Sequence, residues 1–291
     1  MNWKTYDYKD YIDVENNSIK GLPKLVTIST MCGSCVINST LNRDDIWKYL
    51  PLNSDDILAV MENKKSYRSL IKIDEKDGKK FYNQITVLVR INEGPCEDLN
   101  KEKKLNIKLF DNGSVQLSGV KDVADTNKAF NKLLYRLSEE KGILVNNKIR
   151  DLKFAENNKN LEISNFKIYM INCNYHICIK IKREKLHEIL SVKKKDTCLF
   201  ESSIGAYVSI KYKPKNCDRV VTISLFEKGN ISITGAKNIS NVCEAHDFIN
   251  GIIVDHVNDV FKSYRDENDD DLLFKLYDEV TEKYKHQLEL L

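Results

Sequence analysis

The chain has 291 residues, 42% of them apolar, enough for two ordinary domains or one large one with real cores. Its 46 basic and 43 acidic residues leave a net charge of +3, which excludes a massively basic nucleic-acid coat but not a local basic face. Apolar runs such as Gly251–Val254 are far too short to span a bilayer, and the opening MNWKTYDYKD has neither the n-region nor the h-region of a secretory signal. Eight cysteines without such a signal point to a reducing compartment and free thiols.

In chain order, a tail over 1–23 precedes VTISTMCGSCVINSTLNRDDIWKYL (26–50), which reads as a long extended stretch and a short helix. MENKKSYRSLIKIDEKDGKK (61–80) and GPCEDLNKEKK (94–104) are polar enough to be surface loops. Between them TVLVRI (86–91) reads as a strand with a basic end. LFDNGSVQLSGVK (109–121) reads as a hairpin, because apolar and polar residues alternate on both sides of Asp111-Asn112-Gly113, which is turn chemistry. A helix is predicted over 122–141, with Ala129, Phe130, Leu133, Leu134 and Leu137 at helical spacing and Gly142 as its stop. A linker over 142–163 follows.

The second half repeats this order. FKIYMINCNYHICIKIKREKLHEIL (166–190) is the extended stretch and short helix, VSIKYK (208–213) the basic-ended strand, and LFEKGNISITGAK (225–237) the hairpin. A second late helix runs from about 240 to 261 on a stripe of Val242, Ala245, Ile249, Ile252, Ile253, Val257 and Val260. The acidic amphipathic stretch DENDDDLLFKLYDEVTEKYKHQLELL closes the chain, as a helix docking on a helical face or a partner, or as a DNA mimic that inhibits.

The two hairpins share Leu, Phe, two Gly and the final Lys in register. In the first, Ile107, Leu109, Val115 and Leu117 have one parity, and Lys108, Phe110, Ser114, Gln116 and Ser118 the other. In the second, Ile223, Leu225, Ile231 and Ile233 stand against Thr222, Ser224, Phe226, Asn230, Ser232 and Thr234. Each hairpin therefore has a single large apolar residue on its polar face, the Phe at the tip, where no core asks for it. Phe226 follows Phe110 by 116 residues, and Ile181 follows Leu41 by 140, so the first copy is the longer and the chain is a domain duplication over 24–141 and 164–261.

Two tandem copies, each with a sheet, a late helix and an F-x-x-G-x-x-x-[ST]-G-[AV]-K hairpin, resemble the TATA-box-binding protein family, in a divergent form like those of large DNA viruses. The resemblance implies an α+β saddle: a curved antiparallel sheet of about ten strands, four helices on its convex back, and a concave underside for the minor groove. It implies that Phe110 and Phe226 wedge between base steps and kink the duplex. Arg90 and Lys211 fall on the family's phosphate-facing basic position, Ser118 and Thr234 on the base-facing hydroxyl, and Lys121 and Lys237 on the basic residue closing the motif. Asn172, and Thr30 or a neighbour, fall on the central Asn pair.

The sequence also departs from that family. Lys108, Gln116, Ser224 and Ser232 stand where Val and Leu would press on the groove floor, and Ser114 and Asn230 replace a Lys beyond each wedge. Gln84 and Gly205 occupy the second wedge position, with Phe81 and Phe200 nearby if gaps are allowed. Each lost aliphatic contact forfeits about 1.5–3 kcal/mol, against an unstacking cost of a few kcal/mol per kinked step, so binding to a standard TATA element alone is expected to be weak. Cys32-Gly-Ser-Cys35 lies within a predicted strand, where residues three apart face opposite ways, and no second C-x-x-C accompanies it. The five histidines stand singly, and neither a phosphate-binding loop motif nor H-E-x-x-H occurs.

The expected function is that of a non-enzymatic, monomeric transcription initiation factor with internal pseudo-two-fold symmetry and no cofactor. It would bind double-stranded promoter DNA and recruit initiation factors or RNA polymerase, in the nucleus or a cytoplasmic viral factory and away from membranes. The rival reading keeps the fold but makes it a protein-interaction adaptor with little DNA binding of its own. The polar underside favours that alternative.

Overall fold

Strict alternation makes the hairpin strands. Ile107, Leu109, Val115 and Leu117 are at most 1% exposed and Ile223, Leu225, Ile231 and Ile233 are fully buried, while the residues between them are half-buried or exposed. A slip of one residue would turn each set to the wrong face and forfeit about 1.5–3 kcal/mol per aliphatic side chain.

The computed structural model describes residues 12–262 apart from 14–17, 63–65, 74–82, 146, 194–197 and 201–205. Its first half holds β1 (Ile12–Asp13), β2 (Ser18–Ile19), β3 (Thr27–Ile37), α1 (Arg43–Tyr49), β4 (Ile57–Met61), β5 (Tyr67–Ser69), β6 (Gln84–Arg90), β7 (Lys104–Phe110), β8 (Ser114–Val120) and α2 (Val123–Leu137). The connection carries β9 (Glu140–Val145) and β10 (Lys148–Lys153). The second half holds β11 (Ile163–His176), β12 (Lys180–Ile181), α3 (Arg183–Lys193), β13 (Cys198–Leu199), β14 (Tyr207–Tyr212), β15 (Val221–Phe226), β16 (Asn230–Ala236), α4 (Ile239–Asp255), α5 (Val257–Val260) and β17 (Phe261–Lys262).

The chain divides into two compact units. The first comprises the described residues up to Asn174 with Lys213–Val221 and Ile233–His246; the second comprises Tyr175–Tyr212, Thr222–Ser232 and the described residues from Asp247 onward. In the first, seven antiparallel strands run in the order β11-β3-β8-β7-β6-β4-β5, with α1 against β4 and β6, and α2 against β6 and β8. Asn42 caps α1 by accepting from the Asp45 N–H, and Asp122 caps α2 by accepting from Ala124. The second unit holds β13, β14, most of β15 and the start of β16, neighbours in that order, with β12 pairing β17 and α3 against β13 and β14. The fold is α+β. Among the described residues eleven strands are hydrogen-bonded neighbours rather than the expected ten, and β5, within 61–80, is not among those expected from the sequence.

Three expectations are corrected. The helix of 122–141 stops at Leu137, where the Ser138 N–H closes onto the Leu134 carbonyl, and Gly142 is no helix stop but a member of β9, paired with Asp151. The late helix of the second half breaks at His256, so Val257 is 41% exposed while Val260 is buried. Within and just before the linker β9 and β10 form a hairpin, and Phe154, Ala155 and Leu161, which follow it in the chain, are buried. Finally, among the described residues 61–80 is not simply a surface loop, because it carries β5 and the buried Ile71, against whose cluster the partly buried Leu99 of 94–104 packs. The tails lie outside the described residues before 12 and after 262. Among the described residues no helix is long and apolar enough to cross a membrane.

Candidate nucleic-acid interface

The hairpin tips are braced alike. Gly113 and Gly229 take φ of +79° and +83°, and each N–H donates back to the tip Phe carbonyl at 3.0 Å. The Gly113 carbonyl accepts from Ile37 N–H at 2.8 Å and the Gly229 carbonyl from Ile177 N–H at 2.9 Å. Leu41 N–H donates to the Asp111 carbonyl, and Ile181 N–H to that of Glu227, both at 2.8 Å. Arg43 pairs with Asp111 at 3.4 Å and Arg183 with Glu227 at 3.2 Å. A Cβ at Gly113 would overlap the Ile37 and Ser39 carbonyl oxygens, and one at Gly229 those of Ile177 and Ile179. Glycine is therefore required twice by positive φ and by close approach. The tips hold their Phe in the same way because the same backbone bonds recur.

In the first unit, register puts Lys108 opposite Gln116 and Ser118 opposite both Asn106 and Cys32, with Ser34 opposite Gln116. Phe110 shares this face with Gln84, its partner on β6. Gln116 is exposed, and Phe110, Lys108, Ser118 and Thr30 are half-buried. Asn172 pairs in register with Thr30, and its Oδ1 accepts from Gly235 N–H at 2.9 Å. The two positions matched to a central pair thus meet on neighbouring strands. Thr234 is half-buried in this unit, and Lys121 and Lys237 are exposed, the latter 3.6 Å from Asp218. Cys32 lies on the polar face and Cys35 is buried on the core face opposite Val115, so the pair does not converge.

In the second unit, Ser224, Ser232 and Phe226 are half-buried on the face away from Ile223, Leu225 and Ile231. The Phe226 ring lies 5.1 Å from that of Tyr207, tilted by 47°. Lys211 is exposed and its Nζ donates to Thr222 Oγ1 at 2.7 Å.

Arg90, matched to a phosphate-facing position, is not open to solvent. It is 1% exposed, and its guanidinium donates to Glu102 Oε2 at 2.8 Å, the Ser54 carbonyl at 3.1 Å and the Gly94 carbonyl at 2.9 Å. The hydrogen bond from Arg90 holds the Glu102 carboxyl below its ordinary value, and that bond raises Arg90 in turn. A guanidinium so engaged does not present itself to phosphate. Of the alternative wedge residues, Phe81 and Gly205 lie outside the described residues, Gln84 is buried, and Phe200 rests on α3, 5.7 Å from the His187 ring with Arg183 over its own.

Sequence reasoning missed Tyr207 and Leu199, which are 41% and 66% exposed. Tyr207 shares the parity of Lys211, a signal available in the alternation of YVSIKY. Leu199, on the two-residue strand β13, is placed only by its pairing with Ser209.

Together the fold and site define an α+β protein of two tandem repeats, each turning a polar sheet face with one aromatic tip away from its core. No protein-family model matches the chain. A protein of Acanthamoeba polyphaga mimivirus named TATA-box-binding protein-like is 30% identical over 246 residues, 78% of this chain and 65% of that protein. The chain thus spans just under two thirds of that relative's length and is its divergent homologue. A solved structure of Methanococcus jannaschii TBP aligns with a TM-score of 0.48 and 14% identity, covering 79% of this chain and 98% of that one.

Proposed function

We propose that this chain is a TATA-box-binding-protein-like transcription initiation factor that binds the minor groove of promoter DNA, bends it, and recruits initiation factors or RNA polymerase. It acts as a monomer, without catalysis, wherever its promoters are transcribed. The observation that carries this reading is the pair of tip phenylalanines: Phe110 and Phe226 stand on the non-core face of hairpins braced by the same backbone bonds. A wedge needs that placement, because the ring must leave its own core to enter a base step. Ser118, Thr234, Thr30 and Asn172 supply short polar groups for base edges, and Lys211, Lys121 and Lys237 supply charge for phosphate.

The test is bending of a duplex of about 20–30 base pairs labelled at both ends. Energy transfer should rise on titration, fall with added salt, and be abolished in the Phe110→Ala/Phe226→Ala variant. Binding by the wild type with no change in transfer would refute the wedge. The adaptor reading is favoured by the polar residues Lys108, Gln116, Ser224 and Ser232 on the faces that would meet the groove floor. Folded protein that fails to bind duplex at low salt would decide for the adaptor.

A further inference from the structure

Gln84, Thr86, Leu88 and Arg90 of β6 share a face with Phe110, Lys108, Asn106 and Lys104, their partners in register on β7. Alternation alone would leave them as open as those partners. Instead they are 9%, 9%, 8% and 1% exposed. At Leu88 and Arg90 the cover is the chain's own. Leu88 sits in a small apolar cluster with Leu58, Ala59 and Ile71, against which Ile73 and Leu99 pack. Asn100 Oδ1 accepts from Lys72 N–H at 2.8 Å, and Lys104 Nζ donates to the Asn100 carbonyl at 2.8 Å, so the segment after β5 and the loop before β7 are tied to each other. The same loop supplies Glu102 and the Gly94 carbonyl to Arg90.

We infer that residues 71–73 and the loop 94–102 are a built-in cover that closes the Leu88 and Arg90 end of β6 to a bound duplex. DNA then meets the first repeat only along β3, β8, β7 and the Phe110 tip, and Arg90 works as an internal clamp for the cover. The inference rests on the DNA-binding reading and deepens it. On β14 of the second repeat Lys211 and Tyr207 are exposed, as is Leu199 on β13. Phosphate contact is therefore lopsided: the second repeat's strand makes it and the first repeat's does not.

Two measurements decide this. In the free protein, phenylglyoxal should spare Arg90 while modifying the exposed Arg219, as mapped by peptide mass spectrometry; equal reactivity would overturn the cover. On a labelled duplex, Lys211→Met should lower the slope of log Kobs against log salt by about 0.9. Arg90→Met/Glu102→Leu, which removes both charges and leaves neither alone, should leave the slope unchanged. A slope lowered by about 0.9 in that double variant, or unchanged in Lys211→Met, would overturn the lopsided contact. If wild-type protein binds no duplex, the DNA-binding reading falls while the phenylglyoxal pattern still decides the cover, a spared Arg90 supporting it and a reactive one refuting it.

Discussion

At the residue scale, burial decides what each reactive group can do. Burial pushes the Cys35 and Cys173 thiols up to about 12, so at pH 8 they remain protonated and unreactive. Cys178 is exposed. Iodoacetamide at pH 8 should label Cys178 in the native protein and reach Cys35 and Cys173 only after denaturation; native labelling of Cys35 at the rate of Cys178 would contradict its placement. The opposite facing of Cys32 and Cys35 was legible from the period of a strand. Glu102 was not legible as Arg90's partner, since nothing local joins positions 90 and 102. Its carboxyl is held below the ordinary 4.5, so the unfolded chain takes up its proton at a higher pH than the folded one. The stabilisation is complete above 4.5 and lost as pH falls through the lower folded value. Acid unfolding followed by circular dichroism should accordingly show a shallower fall in stability below that pH for Glu102→Gln than for the wild type.

At the scale of elements, the hairpins carry the most stringent local requirement. Gly113→Ala and Gly229→Ala each force a side chain into positive φ and against two backbone oxygens that cannot swing aside. Each should lower stability by at least about 1–3 kcal/mol, read as a lower urea midpoint at unchanged m-value. A midpoint within error of the wild type would show that the tip relaxes and that its bracing is dispensable. Turn and alternation were visible in LFDNGSVQLSGVK and LFEKGNISITGAK because both signals are local. Helix ends were less visible. The stripe of Ala129, Phe130, Leu133, Leu134 and Leu137 is buried as its spacing required, but α2 gives way to β9 because residues 140–145 pair with 148–153. That pairing outweighs the stop signal of Gly142.

At the scale of the whole molecule, duplication supplies in one chain the two braced hairpins that a symmetric dimer would otherwise assemble. Light scattering after gel filtration should give the monomer mass, 33.7 kDa; a stable dimer would refute the monomeric reading. The polar strip predicts modest affinity for a standard TATA duplex, because aliphatic contacts worth about 1.5–3 kcal/mol each are replaced by Lys108, Gln116, Ser224 and Ser232. Returning Gln116 and Ser232 to Val should tighten duplex binding in an equilibrium titration, and unchanged affinity would place the groove floor elsewhere.

The core face of each hairpin and the residues that share the tip phenylalanine's face were legible in the residues alone. Those follow from period-two alternation and turn chemistry, which act between neighbours and are written within a dozen residues. Which parts of that face stay open depends on long-range packing. Alternation says which way a side chain points but not what lands on it. The landing of Ile71 and Leu99 on Leu88, the capture of Arg90 by Glu102 and the Ser54 and Gly94 carbonyls, and the meeting of Thr30 with Asn172 are all contacts across chain separations that no local pattern encodes.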